Sequence, residues 1–252
     1  MGILRSIGKF VGEFFFVLCL SILILMLTIV ELTDYSNLKP MVAAVINQQI
    51  TKQMDAQKLS LLHAQILSQC SNRETLEMPM GEWGNATLKC SDVKSTKPED
   101  LSSLIASSMF EKIYYKKYDC EFIQCYKQSE FQEKAMLFAS STANQFFKKY
   151  LIYLWVGTAL FGLILLVSSK GWEIPKNFGK SLIAVGIPFI LIKVLKDKIN
   201  LPAEASAVQP QIDQILNTLS NRYLIDLIIG ILLVIIGYSG SYLAKRKEIK
   251  KK

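Results

Sequence analysis

The chain carries one histidine, His63, among 252 residues. A histidine acting as a base needs a nucleophile and an orienting acid beside it. A structural zinc needs several nitrogen or sulfur ligands at fixed spacing. His63 stands between Leu62 and Ala64 on a helical stretch, and no Cys-x-x-Cys pair exists. Gly-x-Ser-x-Gly, the phosphate-binding glycine loop, His-Glu-x-x-His and the dinucleotide fingerprint are all missing. The sequence therefore nominates no catalytic residue, no metal ligand and no cofactor, and a protein without enzymatic activity is expected.

Charge is also lacking at particular places. None of the long apolar stretches carries a charge at its middle. That argues against a coupled transporter, whose substrate site lies near the bilayer midplane. The net charge of +8 is not a nucleic-acid signal either, because Asp34 to Phe147 holds 12 Lys+Arg against 13 Asp+Glu. The basic excess sits beside the apolar blocks, where it reads as a topology signal. No nucleic-acid partner is expected.

What is present is apolar length. Four separated stretches run from Phe14 to Val30, Tyr150 to Val167, Leu182 to Leu195 and Leu224 to Tyr242. A bilayer core of about 30 Å takes roughly 20 apolar residues as a helix, and helices satisfy their own backbone there. An all-α membrane protein with four spans follows: 14–32, 150–168, 181–196 and 223–243. The partner of these surfaces is the lipid bilayer. The first stretch, 17 apolar residues with no Ala-x-Ala after it, reads as an uncleaved anchor.

Short basic segments stay cytoplasmic. Arg5 and Lys9 mark the N-terminal 1–13. Lys170, Lys176 and Lys180 mark the loop 169–180, and a lysine cluster marks the tail 244–252. Both termini are then cytosolic, in a protein of the cell membrane. Residues 33–149 and 197–222 fall outside. The span 181–196 is the shortest and contains Pro188, so a re-entrant segment is its competing reading.

The outer region 33–149 reads as mostly helical. Leu38 to Ile50 and Leu59 to Leu67 each show an apolar face. A break follows from Cys70 to Lys97. Thr96-Lys97-Pro98-Glu99 has the form of a capping box, opening a helix with Leu101, Leu104, Ile105 and Met109 on its apolar face. Tyr114 to Tyr126 reads as a short strand or an irregular clasp. From about Gln128 an uninterrupted helix is expected into the second span. From Gln209 a short amphipathic helix is expected ahead of the fourth.

Cys70, Cys90, Cys120 and Cys125 all fall outside by this topology, and Cys19 lies within a span. An oxidising compartment allows two disulfides. Either Cys120 pairs with Cys125 and Cys70 with Cys90, or the two groups cross-link. Asn85-Ala86-Thr87 is a glycosylation triplet at Asn85. Trp83 lies in a polar loop, to pack on the disulfide region or contact a partner. Asp226 starts the fourth span at the depth where Lys193 and Lys196 end the third. A structural ion pair with them, or simple exposure at the outer boundary, is the preferred role, with ion or proton handling as the sharper one. Gly157, Gly162, Gly230, Gly237 and Gly240 allow close helix approach. Packing within the chain is preferred over a homo-oligomer, because none of these five is spaced Gly-x-x-x-Gly. The expected function is binding, sensing or scaffolding of another membrane or extracellular protein through 33–149. A channel or transporter subunit is the alternative.

Overall fold

The computed structural model describes the backbone of residues 2–79, 85–196 and 209–249, and side chains there except at 2–4, 131–132, 188–196, 210–212, 214 and 247–248. In chain order the elements are α1 (Gly2–Leu32), α2 (Tyr35–Gln53), α3 (Ala56–Gln69), β1 (Thr75–Pro79), β2 (Asn85–Lys89), α4 (Cys90–Ser95), a 3-10 turn (Pro98–Asp100), α5 (Leu101–Tyr114), α6 (Phe122–Gln128), α7 (Phe131–Phe138), α8 (Ser141–Ser168), α9 (Glu173–Lys196) and α10 (Gln209–Ile249). The chain divides into two compact units. One gathers α1, α9, α10 and α8 from Phe147 onward, and the other is built on Glu31–Phe146.

Among the described residues three helices are long and apolar enough to cross a membrane: Arg5–Leu32, Ser141–Ser168 and Ile215–Arg246, with mean hydropathy of 2.8, 2.2 and 2.2. Their surfaces stay apolar outward. Ile152, Leu163 and Val167 are 65%, 62% and 79% exposed. This is an integral membrane protein, since water would not tolerate so continuous an apolar face. The expected third span lies within α9, where side chains from 188 onward are outside the described residues.

Several boundaries differ from the sequence expectation. α1 begins at Gly2, so the N-terminal segment is helical. α9 begins at Glu173, which shortens the preceding connection to 169–172. The short helix expected from Gln209 is the first part of a continuous 41-residue α10. Pro210 occupies its first turn, where a missing N–H costs nothing, and no glycine interrupts it before Gly230.

The second unit has its own core. α2 lies along α5, and Ile46, Leu59, Ile66, Leu88, Val93 and Ile105 join in one buried cluster. Inside the expected break is a hairpin. β1 and β2 pair antiparallel, with Leu76 opposite Leu88 and Met78 opposite Ala86. Alternation along β2 buries Ala86 and Leu88 and exposes Asn85, Thr87 and Lys89, as one core-facing side of a strand requires. Cys70 and Cys90 are disulfide-bonded across this segment, 20 residues apart.

The capping box does not form. The Thr96 hydroxyl donates backward to the Asp92 carbonyl at 2.7 Å, closing α4, and Lys97 precedes the 3-10 turn without a side-chain cap. The segment 114–126 is neither strand nor clasp at its end, because α6 starts at Phe122 and the Cys120–Cys125 disulfide closes its first turn. The helix expected from Gln128 is broken twice, at Ser129 and at Ala139-Ser140. Ser140 starts α8: its hydroxyl accepts from the Ala143 N–H at 3.4 Å and donates to the Leu137 carbonyl at 2.6 Å. A serine cap of this kind opens a new helix without glycine or proline. Beyond it α8 is unbroken through Lys148.

Candidate functional site

The most organised polar cluster on the surface of the second unit joins the start of α2 to the end of α5. Tyr35 and Lys39 are one helical turn apart, so both project from the same side of α2. The Tyr35 hydroxyl donates to Glu111 Oε1 at 2.8 Å and accepts from Lys39 Nζ at 3.0 Å. Lys39 Nζ also reaches Glu111 Oε1 at 3.1 Å. Hydrogen bonding from Tyr35 holds the Glu111 carboxyl below the usual carboxylate range; the neighbouring Lys39 reinforces it and partial burial opposes it. Hydrogen bonding with Tyr35 raises Lys39, and Glu111 adds to this against partial burial.

Aromatic rings frame this triad. Tyr35 lies 5.6 Å from Phe110, 5.2 Å from Tyr114 and 5.7 Å from Tyr115, centroid to centroid. Phe110 is fully buried and Tyr114 nearly so, while Tyr115 is 61% exposed. The Tyr114 hydroxyl donates to the Thr33 carbonyl at 3.3 Å, and Asn144 Nδ2 donates to Thr33 Oγ1 at 3.0 Å. Burial, then the nearby Asp34 charge, pushes the Tyr114 phenol up. The cluster is thus an exposed tyrosine and an ion pair anchored on a buried ring. Nothing in the sequence advertised it, since Tyr35 and Glu111 are 76 residues apart.

The residues nominated from sequence are scattered. The four outer cysteines form the local pairs, Cys70–Cys90 and Cys120–Cys125, and Cys19 is free. Asn85 is exposed at the start of β2, opposite Pro79. Trp83 lies outside the described residues, as do the side chains of Lys193 and Lys196. Asp226 is half-buried inside the Ile215–Arg246 stretch. One turn before it, Arg222 Nη1 reaches Thr28 Oγ1 at 3.4 Å and the Tyr223 hydroxyl donates to the Ser21 carbonyl at 3.2 Å. His63 is buried, with Nε2 3.2 Å from the Val93 carbonyl, which makes it a hydrogen-bonded core residue. Among the described residues no group of three or more His, Cys, Asp or Glu is placed to hold a metal ion.

Glycines set the helix contacts of the first unit. A methyl group on Gly179 would meet the Gly230 carbonyl at 2.6 Å, and one on Gly230 would meet the Gly179 carbonyl at 2.8 Å. Gly186 faces Tyr223 and Leu227, and Gly237 faces Lys176. This places α9 and α10 antiparallel at close approach. α1 meets α8 through Gly8 against Ser168 and Gly12 against Leu165. Gly8 and Gly12 do have Gly-x-x-x-Gly spacing, the small-residue signal for close packing, and the sequence reading missed it by starting at Phe14. At the same end Arg5 Nε donates to the Ser168 carbonyl at 2.7 Å, Lys9 pairs with Glu173 at 2.5 Å, and Lys176 Nζ lies 3.7 Å from the Tyr238 ring centre.

Comparison of the chain with protein-family models, with curated proteins and with solved structures finds no match.

Proposed function

We propose that this chain is a four-span protein of the cell membrane with both termini in the cytosol, and that it acts without catalysis. Its disulfide-braced extracytosolic region, 33–149, binds a partner protein and holds it at the membrane. The observation that carries the reading is the Tyr35–Lys39–Glu111 triad with Tyr115 beside it. Exposed tyrosine is a side chain that protein interfaces favour, and the Lys39–Glu111 pair fixes the ring of Tyr35 beside it. Side chains ordered before contact lose less entropy on binding.

The fourth span is supported by the fit of α9 to α10. From Trp172 against Gly240 to Gly186 against Leu227, the two run together for about 20 Å at 1.5 Å per residue. α9 therefore shares depth with a stretch apolar enough to cross a membrane. The orientation is supported by Arg5, Lys9, Lys170 and Lys176, which gather at one set of helix ends, with Lys245 and Arg246 beyond Gly240. Basic residues concentrate on the cytosolic side.

A photo-cross-linking residue in place of Tyr115, in intact cells, tests this. We expect one discrete heavier adduct, absent when the same residue replaces Leu61, which is 72% exposed on α3. A faint ladder from both positions, or an adduct seen only after permeabilisation, sinks the proposal. An adduct of twice the chain mass identifies the partner as a second copy. The half-buried Asp226 in a candidate span favours a second reading, a channel or transporter subunit. Asp226→Asn with assembly intact and ion flux lost would move the balance to it.

A further inference from the structure

Nine asparagines are spread along the chain, and only one is followed two positions later by serine or threonine: Asn85, with Thr87. The side-chain amides of Asn37, Asn144 and Asn177 are committed inside the fold. They donate to the Glu31 carbonyl at 2.8 Å, to Thr33 Oγ1 at 3.0 Å and to Ser169 Oγ at 2.8 Å. Asn85 differs from them. It is exposed, and its amide makes no hydrogen bond among the described residues.

The strand β2 fixes where the triplet points. Successive residues of a strand face opposite ways. Ala86 is fully buried in the core of the second unit, so Asn85 and Thr87 share the outward side. The strand is held from behind. Ser108 Oγ donates to the Thr87 carbonyl at 2.5 Å, and Leu88 pairs opposite Leu76. The Cys70–Cys90 disulfide ties the residue after β2 to the residue after α3. Asn85 lies at the end of the ladder, opposite Pro79. A bulky hydrated group attached there meets solvent and displaces no packed side chain.

We propose that Asn85 is a modification site and carries an N-linked oligosaccharide on Nδ2. The proposal rests on the membrane orientation given above, which puts 33–149 on the side where disulfides persist and such glycans are found. The donor class is a polyprenyl-diphosphate-linked oligosaccharide. A bond forms between Nδ2 and the anomeric carbon of the first sugar. The bond from that carbon to the diphosphate oxygen breaks, and the lipid diphosphate leaves with the electron pair. Nδ2 gives up one proton, and nothing is oxidised or reduced. The sugar stands beside the candidate binding surface. Lys89, whose charge helps to lower Glu111, is four residues along β2, about 13 Å at roughly 3.3 Å per residue. The glycan therefore flanks the triad and removes none of its contacts.

The test translates the full chain into rough microsomes, which supply the transferase and the lipid-linked donor. Apparent mass is read before and after an endoglycosidase. The natural sequence should gain one glycan. Asn85→Gln and Thr87→Ala should each lose it, and Thr87→Ser should keep it. Two further variants guard the orientation. In the Asn85→Gln chain, Lys94→Asn completes a triplet with Ser95-Thr96, and Lys58→Asn completes one with Leu59-Ser60; both lysines are exposed. If the natural sequence gains nothing while either of these is glycosylated, the Asn85 site is wrong and the orientation stands. If none of the three positions is modified, both are overturned. A glycan that survives Asn85→Gln also removes the assignment.

Discussion

The two units differ in where most of their large apolar side chains lie. In the unit built on Glu31–Phe146 the large side chains go inward. Phe110 and Leu101 are fully buried and Ile105 is 1% exposed. In the unit of α1, α9, α10 and α8 from Phe147, glycines line the closest helix approach, Gly179 against Gly230, a few large side chains such as Leu23, Leu165 and Tyr223 are buried between helices, and many others point outward, with Val167 79% exposed. The first pattern is what water imposes, because burying apolar area is its main favourable term. The second is what lipid imposes. There the surroundings are as apolar as leucine, so helices gain by approaching closely and not by hiding side chains. One chain thus contains two packing rules, and its change of rule falls within α8.

Breaking that contrast begins with paired truncations. Ile105→Ala should cost the second unit about 2–5 kcal/mol, read as a fall in its denaturation midpoint. Leu163→Ala, 62% exposed on α8, should cost the protein in vesicles close to nothing. Comparable losses at both sites would mean that the outward leucines face a partner and not lipid. Next comes the glycine seam. Gly230→Leu places a side chain where a single methyl already meets backbone at 2.8 Å. A loss of about 1–3 kcal/mol is expected, and Gly179→Ala should be the milder variant. Thermal unfolding in detergent, followed by helix content, reads both.

The smallest effect sharpens the surface triad. Glu111 is lowered in the folded protein, so its stabilisation is full above the ordinary carboxylate range and fades as acid brings pH down through its folded value. Lys39 is raised, so its share is full below the ordinary lysine range and fades as pH climbs through its folded value. The Lys39 and Glu111 side chains are 33% and 52% exposed, and water screens such a pair to below about 1 kcal/mol. Glu111→Gln should lower neutral stability by no more than that amount and leave stability in acid unchanged, which flattens the acid limb of the profile. A large loss at neutral pH would show that the triad holds the fold together.

Legibility followed the same division. The apolar face of α5 could be read from Leu101, Leu104, Ile105 and Met109, because a helix of 14 residues repeats its period several times. The hairpin could not. Each strand has five residues and buries only one or two of them, too short a run for alternation to register beside Pro79, Gly81 and Gly84. Ser140 was passed over because a serine cap resembles any serine until the hydroxyl finds its N–H. Thr96 misled for the same reason, since its hydroxyl had a nearer carbonyl at Asp92. The aromatic and ionic cluster around Tyr35 was invisible because its members meet only after α2 folds onto α5. The Gly8 and Gly12 pair was the one missed feature that the sequence alone contained.

Both disulfides are local, spanning 20 and 5 residues, and this bears on how the chain is made. Each of the four paired cysteines has its mate in hand once Cys125 has left the ribosome and, under the orientation proposed here, crossed to the oxidising side. Neither bond waits for α9 or α10 to be synthesised. Oxidation of the outer lobe can therefore finish while the last membrane segments are still being translated, and a ribosome stalled after α8 would carry a lobe already locked.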